Sequence, residues 1–287
     1  MVHVPPSLQT PAQSGPVPEF AEQQVQTALG VTSVRRCGTG SRHVVLLHGI
    51  SSGADSWRDC AQQLGNWANV TAWDAPGYGQ SGPLEQAAPL ATHYGARLAA
   101  LLDALHITQP LIVGHSLGAL MAAGYANRAD QCATGYVLIS PALGYGTSPR
   151  AEAVRSKRLE ALETLGVEGM ARNLPARLLS GQATETQRRQ VVANALRLRA
   201  DGYKQAVALL CGDDIHRYTP LKTLPVQVAC GALDIVTPPE QSRDLAAALG
   251  APFQLIENAG HAVYVEQPQA VASLIRSASN LFGGQPS

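Results

Sequence analysis

The chain lacks an excess of charge of either sign, because its 21 lysines and arginines balance its 21 aspartates and glutamates. Proteins that bind nucleic acid or another charged polymer usually carry a clear excess of one sign, so no such partner is expected. A membrane-spanning helix needs an apolar run of about 18 residues, and the chain has none. Residues Met1–Pro18 have neither the basic start nor the apolar centre of a secretory signal. The composition therefore predicts a cytoplasmic protein without a nucleic-acid or membrane partner.

Cysteine is scarce and scattered. The five cysteines form no Cys-x-x-Cys pair and no cluster with histidine. This pattern predicts neither a zinc site nor a disulfide framework. We expect free thiols in a reducing compartment and no metal ion.

The chain does contain an alternation of strand-like and helical segments. Residues 19–140 and 220–287 alternate apolar, β-branched runs with amphipathic stretches. This predicts an α/β core with a mostly parallel central sheet and helices on both faces. Glu19–Leu29 is interpreted as a short helix at the start of this core. Residues 1–18, rich in Pro, Gln and Ser, are predicted to form a flexible N-terminal extension.

Strand patterns disappear between Pro141 and Thr219, and helical patterns replace them. Residues 141–219 are predicted to form a helical lid, an insertion over the carboxyl edge of the sheet rather than an independent domain. This segment carries 12 basic against 8 acidic residues, a net charge of +4, and leaves −4 on the rest of the chain. The predicted helices are Arg150–Leu165, Val167–Leu179, Thr184–Arg199 and Tyr203–Leu210.

The stretch Leu111–Ala119 predicts a nucleophilic serine. An apolar strand ends at Gly114, Ser116 occupies a turn, and a helical run begins at Leu117. A hydroxyl that stands clear of the backbone needs a sharp strand-to-helix turn, which tolerates no bulk two residues to either side; this accounts for Gly114 and Gly118. The helix that follows would direct its N–H groups at the same point.

A serine needs a base, and the base needs a group that orients it. Asp234 lies in the loop after the predicted strand Val226–Cys230, and His261 lies after the predicted strand Phe253–Ile256. The carboxyl ends of parallel strands meet at one edge, so both side chains are expected beside Ser116. The predicted catalytic residues are therefore Ser116, Asp234 and His261.

Acyl transfer also needs N–H donors for the oxyanion that develops on the carbonyl. One is expected from Leu117, directly after the serine, and the other from Ile50 in the loop that follows an early strand. His48 is interpreted as a structural side chain that braces this loop, and Asp74 as a turn cap. His115 is expected to point into the fold and to bond to the backbone.

The sequence resembles the α/β-hydrolase fold serine hydrolases. The resemblance covers roughly residues 31–282 apart from the helical segment. It implies the α/β-hydrolase fold, a Ser-His-Asp mechanism and no organic cofactor. Ser116 argues against haloalkane dehalogenases and epoxide hydrolases, which have an aspartate at this position. The motifs that carry the resemblance are Leu47-His48-Gly49, Asp74–Ser81, Gly114–Gly118, Gly231–Asp234 with Thr237–Pro239, and Gly260-His261 with Glu266–Pro268.

Two subgroups of this family share further motifs with the chain. Thr237–Pro239, Gly169-Met170 and Gly202-Tyr203 resemble 3-oxoadipate enol-lactonases, although those lack a counterpart of His48-Gly49. The segments Asp74–Ser81 and Ser52–Ala54 resemble the carbon–carbon hydrolases of aromatic meta-cleavage pathways. Those hydrolases usually have Trp directly after the catalytic histidine, where this chain has Ala262.

The sequence thus predicts a hydrolase that acts on a small ester or lactone through an acyl-enzyme. Three alternatives stay open: a carbon–carbon hydrolase of a vinylogous diketone, a cofactor-free perhydrolase or haloperoxidase, and a receptor with a vestigial triad. A small-molecule substrate is the expected partner, and the protein is expected to be a monomer or a homodimer.

Residues that would contact the substrate are predicted in two groups. The first adjoins the catalytic residues and consists of Ser51, His115, Val236 and Ala262. The second consists of basic residues of the lid, since an acidic substrate would need a fixed cation; the alternative use of these arginines is a solvated helix face. This second group is Arg150, Arg155, Arg172 and Arg177.

Overall fold

The architecture is a single twisted sheet between helical layers, in the computed structural model that describes residues 19–283. The strands are β1 (Ala21–Thr27), β2 (Gly30–Cys37), β3 (Arg42–Leu47), β4 (Ala68–Trp73), β5 (Leu111–His115), β6 (Gly135–Ile139), β7 (Val226–Gly231) and β8 (Phe253–Ile256). Their order in the sheet is β1-β2-β4-β3-β5-β6-β7-β8. β2 is antiparallel to both of its neighbours, and the pairs from β4 to β8 are parallel. This is the mostly parallel α/β sheet that the sequence predicts.

The helices cover both faces of the sheet and form a separate run between β6 and β7. They are α1 (Arg58–Gly65), α2 (Ala91–Ala104), α3 (Leu117–Ala126), α4 (Ala151–Leu178), α5 (Glu185–Ala195), α6 (Ala200–Gly212), α7 (Pro239–Leu249), α8 (Val263–Glu266) and α9 (Pro268–Phe282). Within the described part of the chain, none of these helices has the length and apolarity needed to cross a bilayer. The flexible extension predicted over residues 1–18 lies outside the described residues.

The prediction of a helix at Glu19–Leu29 is wrong. Ala21–Thr27 is a strand that pairs with β2 in a tight antiparallel hairpin, with Val25 opposite Thr32. Gly30, whose φ of 104° lies in the left-handed region, makes the hairpin turn possible. The pairing with β2 overrides the weak helical preference of the glutamines, because strand propensity depends on the neighbouring strand.

The central strands are buried on both faces, which explains their unbroken apolar runs. Along β5, Ile112 packs into the core layer that contains α2 and α3, whereas Leu111 and Val113 pack into the layer that contains α1 and α9. Successive side chains of a strand point to opposite faces, so one short run supplies both layers. The loops that leave β3, β5, β7 and β8 therefore emerge at one edge of a rigid sheet.

The chain between β6 and β7 is helical, in agreement with the change of pattern at Pro141. The long helix α4 is broken at Gly166, which has a φ of 60° and a ψ of −178°, and its two halves run over different surfaces. α6 is the most deeply buried of the three helices in this segment, and its residues Val207 and Leu209 join the main core. Gly202 at its start packs directly against Gly77, where a side chain on either residue would collide with backbone.

Asp213, at the end of α6, attaches the helical segment to the core. Its fully buried carboxylate accepts hydrogen bonds from the Ala91 N–H at the start of α2 (2.8 Å) and from the Tyr218 hydroxyl (2.5 Å). It also pairs with Arg217 at 3.3 Å. A buried carboxylate with this many donors holds the end of the segment in one position relative to α2.

Replacement of Asp213 with alanine should lower the free energy of unfolding by about 2–5 kcal/mol, because the Ala91 N–H and the Tyr218 hydroxyl would remain buried without an acceptor. Urea denaturation followed by circular dichroism measures this change. The control is Asp201→Ala, an exposed residue of α6, which should change the free energy by less than about 0.5 kcal/mol. Equal effects of the two substitutions would contradict the role of Asp213.

Candidate active site

Ser116 lies at a strained turn between β5 and α3. Its φ of 51° and ψ of −118° are rare for a residue with a side chain. The turn is held by hydrogen bonds from the Ser116 N–H to the Ile139 carbonyl and from the Ala119 N–H to the Ser116 carbonyl, each 3.0 Å. A Cβ at Gly114 would lie 2.5 Å from the Gly118 carbonyl oxygen. A Cβ at Gly118 would collide with the Leu47 carbonyl, so both glycines are required by space.

Three side chains from three loops form a chain of hydrogen bonds at this edge. The Oγ of Ser116 lies 2.9 Å from Nε2 of His261, and Nδ1 of His261 lies 2.8 Å from Oδ2 of Asp234. The Asp234 carboxylate can only accept, so Nδ1 carries the proton and Nε2 is free to accept the serine proton. All three residues are buried, which keeps water from competing for these bonds.

Asp234 is held as a carboxylate by several donors. Its Oδ1 accepts from the Val236 and Thr237 N–H groups at 2.8 and 3.0 Å, and its Oδ2 accepts from the Thr237 hydroxyl at 2.9 Å. Burial by itself raises the pKa of this carboxyl, but the hydrogen bond and charge of His261 and the backbone N–H groups outweigh burial and hold the pKa below its ordinary value. Thr237 therefore orients Asp234, a role that no sequence pattern had indicated.

Two backbone N–H groups next to Ser116 are without an acceptor among residues 19–283. They belong to Ile50, in the loop after β3, and to Leu117, the first residue of α3. Both residues line the same cavity as Ser116. Gly49 permits this approach, since a Cβ there would lie 2.9 Å from the Cβ of Ser116.

His48 braces the loop that carries Ile50. Its Nε2 accepts from the Ala75 N–H at 2.9 Å, so Nδ1 is protonated and donates to the Gly49 carbonyl at 2.8 Å. The Tyr78 hydroxyl donates to the Ile50 carbonyl at 2.7 Å and fixes the next peptide of the same loop. Burial lowers the pKa of His48, so it stays neutral and structural.

His115 connects the serine turn to the loop of His261. Its Nε2 donates to the His261 carbonyl oxygen at 2.8 Å. Burial, followed by the proximity of His261, lowers the pKa of His115 to about 3. A permanently neutral imidazole therefore fixes the backbone of His261, and the ring also forms part of the cavity wall.

Glu266 positions the His261 loop against the end of α4. Its Oε2 accepts from the Gly260 N–H at 2.7 Å, and its Oε1 accepts from the Ser180 N–H at 2.9 Å and the Ser180 hydroxyl at 2.5 Å. The Ala262 N–H donates to the Leu178 carbonyl at 2.8 Å beside this group. The motif Glu266–Pro268 indicated the fold, but its function in joining two distant segments becomes visible only in three dimensions.

A cavity of about 470 Å³ opens directly over Ser116 and His261. Of the residues predicted to contact a substrate, Ser51, His115, Val236 and Ala262 line it. Among the predicted arginines, Arg150 and Arg177 line it, whereas Arg155 and Arg172 do not.

Arg155 and Arg172 do not line the cavity and pair with acids on their own helix. Arg155 pairs with Glu152 at 3.5 Å and Arg172 with Glu168 at 3.2 Å. Their expected contact with a substrate is therefore wrong, because neither side chain is part of the cavity wall.

Arg158 lines the cavity although it was not among the arginines predicted to contact a substrate. It stands four residues before Leu162, a buried residue of α4, and four residues after the partly buried Val154. Positions four apart share one face of a helix, but Arg155 stands in the same way between Ala151 and Leu159, which also pack against the core, so this spacing does not distinguish the two arginines.

The arrangement can deprotonate the hydroxyl of Ser116 as it attacks an electrophile and can stabilise a negative oxygen next to it. His261 lies within hydrogen-bond distance of the serine, and Ile50 and Leu117, whose N–H groups have no acceptor among residues 19–283, line the same cavity. In the described part of the chain, no group of three or more His, Cys, Asp or Glu residues could hold a metal ion.

Comparison with known proteins places the chain in a family. The profile of the family described as alpha/beta hydrolase family matches residues 44–274. The chain belongs to the alpha/beta hydrolase family. The match includes the loops of Ser116, Asp234 and His261 as well as the helical segment between β6 and β7.

A component of a larger enzyme system is similar in sequence to this chain. A dihydrolipoyllysine-residue acetyltransferase component of the acetoin cleaving system of Cupriavidus necator is 28% identical over 251 residues, which are 84% of this chain and 64% of that protein. The chain thus spans less than two thirds of the length of that relative.

Solved structures with the same fold include two enzymes. A thermophilic esterase from Thermogutta terrifontis, with malate bound, has a TM-score of 0.80 and 21% identity, and the match covers 92% of this chain and 100% of that one. The enol-lactonase from Burkholderia xenovorans has a TM-score of 0.78 and 19% identity, with coverage of 89% and 99%. At these identities the likeness shows the fold.

Glu266→Gln should slow the reaction of Ser116 with a fluorophosphonate, which phosphonylates an activated serine hydroxyl. The amide NH₂ of glutamine would face the N–H of either Gly260 or Ser180, so the His261 loop would lose one anchor. We expect a labelling rate about tenfold lower and a free energy of unfolding about 1–3 kcal/mol lower.

The rate of labelling is measured by mass spectrometry at a temperature where both proteins are fully folded. The matched control is Glu257→Gln, an exposed residue of the same loop, which should leave the rate unchanged. An unchanged rate for Glu266→Gln would show that the loop is positioned without this carboxylate.

Proposed function

We propose that this alpha/beta hydrolase is a serine hydrolase that cleaves a small carboxylic ester or lactone through an acyl-enzyme. The observation that carries the proposal is the hydrogen-bonded series Ser116, His261 and Asp234. Ser116 and His261 line a cavity together with Ile50 and Leu117, the two residues whose N–H groups have no acceptor among residues 19–283. This combination contains a nucleophile, a base, an orienting acid and an oxyanion site within one small volume.

In the first half of the reaction, Nε2 of His261 accepts the proton of Ser116 while Oγ attacks the carbonyl carbon. The carbonyl oxygen becomes an oxyanion and accepts hydrogen bonds from the N–H groups of Ile50 and Leu117. Collapse of this intermediate breaks the bond to the leaving oxygen, which takes the proton from His261. The product is an acyl-serine and a free alcohol, or one ring-opened chain if the substrate is a lactone.

In the second half, water replaces the alcohol. His261 accepts a proton from the water as its oxygen attacks the acyl carbon, and the same N–H groups stabilise the second oxyanion. Collapse returns the proton to Ser116 and releases the carboxylic acid. Asp234 stays ionised throughout, because its pKa lies below the ordinary value, and it stabilises the imidazolium that forms twice per turnover.

The choice of ester or lactone has two supports. The cavity of about 470 Å³ has room for a small substrate, and its wall combines apolar side chains with a few polar groups. The solved structures with this fold include an esterase and an enol-lactonase. In this proposal the helical segment 141–219 acts as a lid, since α4 and α6 supply residues Arg158, Leu174 and Leu210 to the cavity wall.

Ser116→Ala and His261→Ala should each lower kcat for a 4-nitrophenyl ester by about 10⁴-fold or more, and the double variant should be little worse than either. The two residues act on one proton, so loss of either removes the same step. Steady-state kinetics measures kcat under conditions in which each enzyme molecule forms more than one molecule of product. Independent, multiplicative losses would contradict a shared step, and product that stops at one equivalent in the unmodified protein would contradict turnover.

Asp234→Asn should lower kcat by about 10⁴-fold while the protein stays folded. The asparagine can donate to Nδ1 of His261, which would place the proton on Nε2 and block its role as a base. Circular dichroism checks the fold and steady-state kinetics checks the rate. Activity near that of the unmodified protein would mean that another acid orients His261.

A further inference from the structure

The cavity over Ser116 contains three positive charges and no negative one. Arg150, Arg158 and Arg177 line it, and its lining includes neither Asp nor Glu. The carboxylate of Asp234 lies behind His261, and its side chain is 0% exposed. A substrate that enters this space therefore meets arginines whose charge no acidic residue of the lining offsets, and of these Arg150 and Arg177 are also open to solvent.

The cavity arginines differ from the other arginines of α4 in their partners. Within residues 19–283, the guanidinium groups of Arg158 and Arg177 form no ion pair, and Arg158 has only a long hydrogen bond of 3.4 Å to the Tyr203 hydroxyl. By contrast, Arg155 and Arg172 are both paired with glutamates. These two arginines belong to the same helix but do not line the cavity. The unpaired arginines are thus the ones that face the cavity.

Arg158 and Arg177 come from opposite halves of α4, on either side of the break at Gly166, and line the same cavity. Arg177 is exposed as a residue, yet partial desolvation of its guanidinium, followed by the positive charge of Arg158, lowers the pKa of Arg177. Two guanidinium groups with overlapping fields are unfavourable next to each other unless an anion lies between them. Both arginines nevertheless lie in the wall of the cavity that contains Ser116.

We propose that Arg158 and Arg177 bind a carboxylate that the substrate carries at the end opposite its scissile carbonyl. This inference rests on the proposed ester or lactone hydrolysis, and it names the substrate class as an acidic ester or lactone. The planar guanidinium fork matches a carboxylate with two parallel hydrogen bonds. The apolar wall of Leu143, Leu174 and Leu178 would contact the short chain that joins the two ends.

A matched pair of substrates tests the proposal. Mono-4-nitrophenyl adipate and 4-nitrophenyl hexanoate have the same leaving group and the same chain length, and they differ in a terminal carboxylate against a methyl group. We expect the unmodified protein to favour the adipate in kcat/KM by about tenfold or more. The preference should fall at high salt, because part of the site is open to screening.

Variants of the two arginines identify the group responsible. Arg158→Met and Arg177→Met should each lower the ratio of kcat/KM for adipate to that for hexanoate by about tenfold, and together by more. The matched control is Arg172→Met, on the same helix but outside the cavity, which should leave the ratio unchanged. A preference for hexanoate in the unmodified protein, or a ratio that neither cavity variant changes, would overturn the subsite.

A binding measurement separates this proposal from the proposed reaction. Isothermal calorimetry with adipate on Ser116→Ala needs no turnover and should detect binding, which the triple variant Ser116→Ala, Arg158→Met, Arg177→Met should lose. Absence of binding to Ser116→Ala would overturn the subsite even if the unmodified protein hydrolyses both esters. If neither ester is hydrolysed but adipate binding depends on the arginines, the reaction fails and the carboxylate site stands.

Discussion

The backbone of Ser116 is the constraint on which the rest of the site depends. A residue with a side chain at a φ of 51° and a ψ of −118° costs about 1–3 kcal/mol. The structure maintains it with the hydrogen bond to Ile139 of β6 and with glycines that let β3 and α3 approach closely. Rigid parallel strands on both sides therefore hold the hydroxyl at a fixed point of the sheet edge.

A second layer of interactions holds the loops that approach this point. His48 fixes the Ile50 peptide, His115 fixes the backbone of His261, and Thr237 fixes Asp234. Burial lowers the pKa of both supporting histidines. They therefore act as neutral hydrogen-bonding groups and do not compete with His261 for protons. His48 and His115 are thus structural, and His261 is the imidazole that contacts Ser116.

Buried carboxylates join the helical segment to this framework. Asp213 binds the start of α2, and Glu266 binds both Ser180, just after α4, and Gly260, next to His261. The wall of the cavity and the base are consequently parts of one connected structure. A helical segment held in this way can present Arg158 and Arg177 to the cavity with little loss of order on binding.

The sequence by itself determined the serine turn, the order of the three hydrogen-bonded residues and the parallel α/β sheet. These features depend on local signals: apolar runs, glycines beside Ser116, and polar residues directly after strands. The prediction of a helix at Glu19–Leu29 was wrong, because pairing with β2 makes this segment a strand. Only the tertiary structure decided that Arg158 and not Arg155 faces the cavity, and that Glu266 anchors the His261 loop. Both depend on how α4 is rotated and broken at Gly166 and on contacts between residues far apart in the chain, which no local pattern contains.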